Sequence, residues 1–339
     1  MMTNPALDSI TTNNQWDKLI ADYQSFGGRI NNIVQRRGAL GLGLFPIDQS
    51  KPIELSAPDE LLVPVDQVKL ENDHIIIAEP DRFPDGYATW YKTFQQCFSW
   101  GADGYKSILQ FETALRTLPD DIQNLLQPFC NVPIRQRLPS ENKNNIFKRF
   151  IKTRQINYKG KKVLMPMIEL VNHSAFQKSW NMNDDGIHIK GNFEDEILVR
   201  YSMADPIFRF MQYGFSCREK TAFSMDLQVL HYGYKVIVNG GVNNAPFDPL
   251  NIVSSGEQII IHSPLLGSTA NQRLPRSLFK KALSMVKGIK PDELFDQIIY
   301  INRLQVIKIL KLLSKANNPI KSDLNEVCLD QLILLSLNS

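Results

Sequence analysis

The chain has 339 residues, of which 43% are hydrophobic and 22% are charged, a balance typical of a globular protein with a buried core. Lys and Arg number 38 against 35 Asp and Glu, so the net charge of +3 is too small for binding nucleic acid or an anionic membrane mainly through charge. The four cysteines form no CxxC pair, which argues against a zinc knuckle or a disulfide scaffold and favours a reducing compartment.

Neither a signal peptide nor a membrane segment is expected from the sequence. The chain opens on a polar stretch that lacks the basic start and apolar core of a signal peptide. Its most apolar tract, residues 298–313, is interrupted by Arg303, Lys308 and Lys311, and such a tract is a poor transmembrane helix. We therefore expect a cytoplasmic protein, with nuclear residence or delivery into a host cell left open as alternatives.

The first half of the chain alternates between helical and strand-like patterns. Apolar residues at spacings of three and four predict a helix over residues 13–25, further helices between 83 and 129, and another over 145–156. After the first helix, short apolar runs separated by Gly, Pro and Asp predict small antiparallel hairpins. These runs lie at residues 32–36, 42–47, 52–55 and 60–65.

Strand-like runs return after residue 160, and the chain ends in helical patterns. A short helix is predicted over residues 205–213, with Gly214 as its left-handed stop. The apolar stripes of the last helices predict that these helices pack together. The predicted strands lie at residues 162–164, 168–171, 186–190, 196–201, 225–238 and 258–263, and the final helices at 275–287, 291–315 and 323–335.

Common catalytic and nucleotide-binding motifs are missing from the sequence. The glycines within residues 38–43 do not follow the GxGxxG spacing, and strand-like rather than helical sequence comes after them. The sequence has no GxxxxGK[ST], HExxH or GxSxG motif. The five histidines offer no pair four residues apart, so no metal site is predicted.

Three segments in a fixed order carry a more specific signal. They are residues 40–45 (LGLGLF), residues 165–174 (MPMIELVNHS) and residues 196–201 (EILVRY), the last followed by the YGF of residues 213–215. Together these segments resemble the SET domain of protein methyltransferases, specifically the branch typified by Rubisco large-subunit lysine methyltransferase. The predicted order of strands and helices also matches that branch, so the resemblance covers roughly residues 33–315.

The resemblance implies an α+β fold. The small antiparallel sheets of a SET domain would form a pseudoknot and carry a helical insert and a C-terminal helical domain. Four segments are expected: the N-terminal helix with the first part of the SET domain at 1–66, the helical insert at 67–150, the second part of the SET domain with the cofactor and catalytic motifs at 151–216, and a mainly helical substrate-binding domain at 217–339.

The implied activity is transfer of a methyl group from S-adenosylmethionine to a lysine side chain of a protein, which leaves S-adenosylhomocysteine. Such an in-line displacement mainly requires alignment of amine, methyl and sulfur. The resemblance assigns Tyr201 to the catalytic position, where its hydroxyl contacts the methyl through CH···O interactions. It assigns Tyr213 and Phe215 to the aromatic wall of the lysine channel and the floor beneath the cofactor. The alternative for Tyr201 is an aromatic core residue at a strand end.

Cofactor binding is assigned by the same resemblance to the first two segments. Asn172 and His173 would hold the cofactor largely through backbone groups, and Leu42 would lie over the adenosine. Gly41 and Gly43 would allow the backbone to approach the cofactor closely, since glycine has no Cβ. A satisfied core histidine and a plain tight turn are the alternatives for His173 and the glycines.

Arg154, Glu169 and Leu40 complete the predicted cofactor site. Arg154 stands where the family has an arginine near the methionine end of the cofactor, and it could pair with that carboxylate in a forked geometry; a solvated basic face is the alternative. Glu169 replaces the family's usual Asp, and Leu40 replaces an acidic residue. Ile156 and Ile168 stand where histidine-methylating members have Asn and Trp, which favours lysine as the acceptor.

Three hypotheses of function follow. The leading one is an enzyme whose partner is a protein that presents a lysine, with no membrane or nucleic-acid partner and an undetermined oligomeric state. The second is a catalytically weak or inactive SET-like protein that binds a peptide or protein, and the third is an unrelated α+β binding protein with chance motifs. Tyr201, Asn172 and His173 favour the enzyme, whereas Leu40 and Glu169 mildly favour the binding module.

Overall fold

The chain folds into two compact units. The computed structural model describes residues 5–130, 134, 142–242 and 250–337. The first unit takes in residues 1–109, 140–173 and 177–199, and the second takes in residues 110–139, 174–176 and 200–339. This is a division by packing. The predicted division into four segments concerns function and stays a prediction.

The helices follow the predicted spacing closely. Residues 13–25 belong to a helix that begins earlier, at Pro5, and the helices predicted over 145–156 and 205–213 and at the end of the chain are confirmed within a few residues. The helices are α1 (Pro5–Ser25), α2 (Tyr87–Phe98), α3 (Tyr105–Arg116), α4 (Asp120–Leu126), α5 (Lys143–Arg154), α6 (Pro206–Tyr213), α7 (Leu274–Leu283), α8 (Pro291–Leu313) and α9 (Lys321–Ser336). Among the described residues, none of the helices has the length and apolar content needed to cross a membrane.

The strands are short and mostly antiparallel, so the predicted α+β class is confirmed. They are β1 (Arg29–Asn31), β2 (Ile33–Gly38), β3 (Gly41–Pro46), β4 (Ile53–Pro58), β5 (Val63–Pro64), β6 (Val68–Glu71), β7 (His74–Ile77), β8 (Ile156–Tyr158), β9 (Lys161–Leu164), β10 (Asn172–His173), β11 (Asn181–Asn183), β12 (Gly186–Gly191), β13 (Leu198–Val199), β14 (Thr221–Phe223), β15 (Leu227–His231), β16 (Tyr234–Asn239), β17 (Ile252–Ser255), β18 (Gln258–His262) and β19 (Leu265–Ser268).

The first unit contains several small sheets. Its larger ones run in the order β1-β4-β12-β11 and β5-β9-β8, and the remaining strands pair as β2–β3, β6–β7 and β10–β13. The β2–β3 hairpin, which sets Gly38 opposite Gly41, confirms the hairpin predicted from the runs at 32–36 and 42–47. The β10–β13 pair is parallel and joins Asn172–His173 to Leu198–Val199.

Several predicted strands differ from the structure. Residues 60–65 are strand only at Val63–Pro64, and residues 225–238 form the two strands β15 and β16. Residues 168–171 do not form a strand, because Ile168–Leu170 is a single turn of 3₁₀ helix. Met167, with φ of 67°, turns the chain there, and the Leu170 amide donates to the Met167 carbonyl at 3.2 Å. The strand predicted over 196–201 is also shorter than expected, since only Leu198–Val199 pairs.

Stacked aromatic rings fill the core between α1 and α2. The Trp90 ring lies 4.9 Å from the Tyr23 ring, 5.2 Å from the Tyr87 ring and 5.5 Å from the Phe94 ring, measured between centroids. The buried Tyr23 hydroxyl donates to the Ser56 carbonyl of β4 at 3.0 Å. Because a buried hydroxyl needs such a partner, this bond ties α1 to the sheet.

Two apolar clusters run through the described part of the second unit. One joins α3, α4, α6, α8 and α9, and in it the Phe111 and Phe210 rings meet edge to face at 5.3 Å. The other lies between the sheet β15-β16-β18-β17 and α7, α8 and α9, with Val236 and Phe295 among its buried members. The C-terminal region, predicted to be mainly helical, therefore begins with strands, and its last two helices belong to both clusters.

Candidate functional site

The glycine hairpin and the Asn172 segment meet in the first unit. The Asn172 side-chain amide donates to the Leu42 carbonyl at 3.1 Å and to the Glu196 carboxylate at 2.6 Å. A Cβ added to Gly43 would overlap that carboxylate and would lie 2.7 Å from the Asn172 amide nitrogen. Residue 43 must therefore be glycine, because any side chain there would displace the hydrogen-bonded Asn172 and Glu196 side chains.

Gly41 is required for a different reason. Its φ of 97° lies in the left-handed region, which glycine adopts without strain, and an added Cβ would meet no atom within 4 Å. It closes the two-residue turn of β2–β3 next to Leu40, whose residue surface is 42% exposed. The tight-turn alternative is thus true of Gly41, and the same geometry leaves the backbone at this position open on one side.

Glu196 is a site residue that sequence reasoning missed. Burial raises the pKa of this half-buried carboxyl, the hydrogen bond from Asn172 lowers it, and neighbouring Asp195 raises it. Within the segment 196–201, the resemblance assigns a role only to the terminal tyrosine. An acidic residue directly before a strand-like run is common on surfaces, so nothing local predicted its contact with Asn172.

His173 is 2% exposed and lies on β10, where it pairs with Val199 of β13. The parallel pairing fixes its backbone beside the strand that leads on to Tyr201. A buried side chain on a paired strand fits the core-histidine alternative, and it also fits a role carried by backbone groups. The assignment of His173 to cofactor binding stays a prediction.

The Glu169 carboxylate is buried against the α2 region. Its Oε1 accepts hydrogen bonds from the Ser99 hydroxyl at 2.6 Å and from the Gln95 amide at 3.0 Å. Burial raises the pKa of Glu169, whereas the nearby Arg154 guanidinium and the two hydrogen bonds lower it. Its Oε2 is buried and accepts no hydrogen bond from any residue that the structure describes.

Arg154 ends helix α5 and is partly buried, so it is not part of a fully solvated basic face. Its guanidinium carbon lies 3.9 Å from the centre of the Phe150 ring, and it donates to the Thr153 hydroxyl at 3.2 Å. The Arg154 guanidinium lies near enough to Glu169 to lower the pKa of that carboxyl. Both stay predictions as cofactor ligands.

In the second unit, the structure brings together the three aromatic residues predicted for the catalytic half. The Tyr213 ring lies 5.7 Å from the Tyr201 ring and 5.8 Å from the Phe215 ring, both in tilted contacts. Helix α6 ends at Gly214, with φ of 80°, as predicted. A Cβ there would also press on the Phe111 ring at 2.8 Å, so the end of α6 is held closely against α3.

Helix α6 begins with a buried acid. Asp205 is the N-cap and accepts from the Phe208 amide at 2.7 Å, which satisfies one of the free donors of the first turn. Burial, and to a lesser degree the nearby Glu219 charge, raises the pKa of Asp205 to about 7, against the opposing effect of Arg209. An Asp before a Pro is a good helix start, so the cap was readable from sequence, but the buried charges around it were not.

No protein-family model matches the chain, and no curated protein matches it. Among solved structures, one similar chain is a crystal structure of the SET domain of LSMT bound to lysine and AdoHcy. The match has 12% sequence identity and a TM-score of 0.39, and it covers 97% of this chain and 90% of that chain. At this identity and TM-score the likeness alone establishes neither the fold nor the function.

Proposed function

We propose that the chain is a SET-type protein-lysine N-methyltransferase, which transfers a methyl group from S-adenosylmethionine to a lysine side chain of a protein substrate. One observation carries the proposal: the Asn172 amide donates to the Leu42 carbonyl, a contact between motifs 130 residues apart. In an unrelated protein with chance motifs, a contact between these two segments would not be expected. The family resemblance, in contrast, requires these two segments to share one cofactor site.

Three features of the first unit fit S-adenosylmethionine. The cofactor carries a carboxylate, an ammonium and a sulfonium, so it needs a cation and acceptors as well as an open stretch of backbone. Arg154 supplies a guanidinium suited to a carboxylate. Glu169 supplies a buried acceptor oxygen, Oε2, that no described residue occupies, and Gly41 supplies backbone with open space beside it.

When bound, the cofactor supplies a methyl group on a positively charged sulfur and a thioether that leaves without a proton. Under the proposal, the Tyr201 hydroxyl would orient that methyl through CH···O contacts. Tyr213 and Phe215 would guide the aliphatic stem of the lysine. Their apolar faces would also remove water from the amine, which lowers its pKa and favours the neutral form that can attack.

The substrate class follows from the proposed chemistry. Ile156 and Ile168 provide neither the Asn nor the Trp of the histidine-methylating members, which supports lysine as the acceptor. Protein substrates of the cytoplasm are the proposed partners. S-adenosylhomocysteine is the proposed product. Because it has no methyl group to transfer, it can be used to measure binding without reaction.

The second candidate is a binding module without transfer activity. Glu169 favours it, since its Oε1 is already bonded to Ser99 and Gln95 and the side chain is longer than the family's Asp. With Oε1 bonded to Ser99 and Gln95, Glu169 has only Oε2 left to accept a hydrogen bond from a ligand. Both candidates predict cofactor or peptide binding, and only the enzyme predicts transfer.

Transfer of a tritium-labelled methyl group distinguishes the enzyme from the binding module. The protein is incubated with a mixture of lysine-containing proteins and S-adenosylmethionine labelled in its methyl group, and hydrolysates are analysed for labelled N-methyl-lysine. We expect label on lysine with the wild-type protein. Tyr201→Phe should lower it by roughly 10-fold to 1,000-fold, the scale for loss of one contact made in the transition state.

Two further measurements complete that experiment. The affinity of Tyr201→Phe for S-adenosylhomocysteine should stay within about twofold, because a contact limited to the transition state leaves ground-state binding unchanged. Tyr300→Phe, the same change on an exposed tyrosine of α8, is the matched control. More than half of wild-type transfer in Tyr201→Phe would show that Tyr201 only packs, and cofactor binding without any transfer would favour the binding module.

A further inference from the structure

Helix α6 carries a fully buried ion pair that no motif predicted. Arg209 is 1% exposed, and its Nε donates to the Glu219 carboxylate at 2.7 Å, with the Glu219 side chain 2% exposed. Removing two charges from water costs several kcal/mol each, and well-packed apolar residues often serve stability equally well (roughly neutral to more stable by a few kcal/mol). Stability alone therefore does not account for this pair.

The other donors of Arg209 reach the chain just after Tyr201. One terminal nitrogen donates to the Ser202 carbonyl at 2.8 Å, and the other lies 3.4 Å from the Ser202 hydroxyl. Residues 201–204 have no regular secondary structure, and the end of this segment next to α6 is fixed by the Thr221 hydroxyl, which donates to the Ala204 carbonyl at 2.8 Å. At Ser202, next to Tyr201, the planar guanidinium with its donors in a rigid fork holds the segment.

The same guanidinium also lies against the aromatic residues of the candidate site. Its central carbon is 5.2 Å from the centre of the Tyr213 ring, within the range of a cation–π contact. The Tyr213 ring in turn contacts both Tyr201 and Phe215. A single buried side chain thus connects the backbone beside Tyr201, the ring of Tyr213 and the segment after Phe215 that contains Glu219.

We propose that Arg209, neutralised by Glu219, is a positioning residue that sets the place of the Tyr201 side chain through Ser202 and the Tyr213 ring. The inference rests on the proposed function only for the role of Tyr201, since the contacts themselves need no cofactor. Lysine cannot replace Arg209. The planar guanidinium pairs with Glu219, donates to the Ser202 carbonyl and lies over the Tyr213 ring at the same time, whereas a compact ammonium cannot make all three contacts.

Fluorine NMR of the full chain labelled with 3-fluorotyrosine tests the inference directly. The Tyr201 and Tyr213 resonances are assigned by their disappearance in Tyr201→Phe and Tyr213→Phe. The test variant is Arg209→Met/Glu219→Leu, which removes both charges of the pair together. The matched control is Arg276→Met, since Arg276 on α7 also pairs with acids and lies 4.8 Å over an aromatic ring, that of Phe295.

We expect the double variant to shift or broaden both tyrosine resonances, while Arg276→Met leaves them at their wild-type positions. Arg209→Lys should fold, but its Tyr201 resonance should also differ from that of the wild type. In the tritium assay, the double variant should lose roughly 10-fold to 100-fold in transfer, the scale for a small misplacement of a catalytic group. Its affinity for S-adenosylhomocysteine should change less than the transfer rate.

Wild-type resonances in a folded double variant would overturn the inference. Loss of the cooperative thermal transition in both the double variant and Arg209→Lys would also overturn it, because the pair would then be a requirement for folding rather than for position. Failure of the proposed function gives a separate result: the wild-type protein would not bind S-adenosylhomocysteine, while the fluorine spectra would still report on Arg209.

Discussion

The Asn172 side-chain amide lies 2.6 Å from the Glu196 carboxylate and holds it directly beside Gly43. This contact joins three parts of the first unit: the glycine hairpin, β10, and the chain that enters β13. Because a Cβ at residue 43 would overlap the Glu196 carboxylate, the pair is sensitive to any side chain added there.

Gly43→Ala should break the Asn172–Glu196 hydrogen bond. The added Cβ would occupy the space of the Glu196 carboxylate, so one or both side chains must move. We expect a loss of about 1–3 kcal/mol in the free energy of unfolding, measured by urea titration, together with weaker binding of S-adenosylhomocysteine.

Gly41→Ala is the comparison for that prediction. It should cost about 1–2 kcal/mol through left-handed backbone strain alone. Because an added Cβ meets nothing within 4 Å, the Asn172–Glu196 pair should be unaffected. Unchanged affinity of Gly43→Ala for S-adenosylhomocysteine would show that the Asn172–Glu196 pair is not part of the site.

Glu169→Asp, which shortens the side chain by one methylene, should make this chain less stable. The shorter side chain cannot keep Oε1 within hydrogen-bond distance of both Ser99 and Gln95, now at 2.6 and 3.0 Å. A buried donor left without its acceptor costs about 1–3 kcal/mol. Urea unfolding measures the change, with Ser99→Ala as the control that removes one donor and leaves Glu169 in place. A more stable Glu169→Asp protein would contradict the observed anchoring.

Asp205 should make stability depend on pH. Its pKa is raised from 3.8 to about 7 in the folded protein, so the folded state binds the proton more tightly than the unfolded chain. Its contribution is therefore fully present below pH 3.8 and is lost as the pH rises to about 7. The groups facing Asp205 are Glu219, which opposes ionisation, and Arg209, which favours it.

Asp205→Asn removes that titration and keeps an acceptor oxygen for the helix cap. Between pH 4 and pH 8, the unfolding free energy should fall less in the variant than in the wild type. The difference between the two decreases should be on the order of a few kcal/mol. Asp185→Asn, the same change at an exposed site, is the control. Parallel pH curves for Asp205→Asn and the wild type would contradict the buried, protonatable cap.

Asn302 should stabilise the second unit. This buried residue of α8 accepts from the Met225 amide at 3.0 Å and donates to the Ser224 hydroxyl at 3.0 Å. Asn302→Ala leaves the Met225 amide without its acceptor, so we expect a loss of about 1–3 kcal/mol in urea unfolding. Lys308→Ala, at an exposed position of the same helix, should cost less than about 0.5 kcal/mol. Similar losses from both variants would contradict the bonding role of Asn302.

The sequence was most informative where the signal is local. Helix α6 was predicted at both ends because Asp205 and Pro206 start a helix and Gly214 ends one. The β2–β3 hairpin followed from short apolar runs separated by glycine. The turn at Ile168–Leu170 was missed because β-branched and apolar residues suggest a strand, whereas the positive φ of Met167 is imposed by the surrounding fold.

Contacts between distant residues were predictable only in part. The resemblance assigned both Asn172 and residues 41–43 to cofactor binding, which stays a prediction, whereas the bond from Asn172 to the Leu42 carbonyl is seen only in the structure. Nothing implied the Glu196 contact, since it depends on the register of the β10–β13 pair. The burial of Arg209 with Glu219 was also unpredictable, because a charged residue within an amphipathic helix is usually solvated.

The binding of the cofactor tests the central claim most directly. Isothermal titration of the wild-type full chain with S-adenosylhomocysteine and with S-adenosylmethionine measures it without any need for the protein substrate. We predict one-to-one binding of both ligands, and a marked loss of affinity in Asn172→Ala while Tyr300→Phe binds as the wild type does. A folded wild-type protein that binds neither ligand would contradict the proposal that this chain is a methyltransferase.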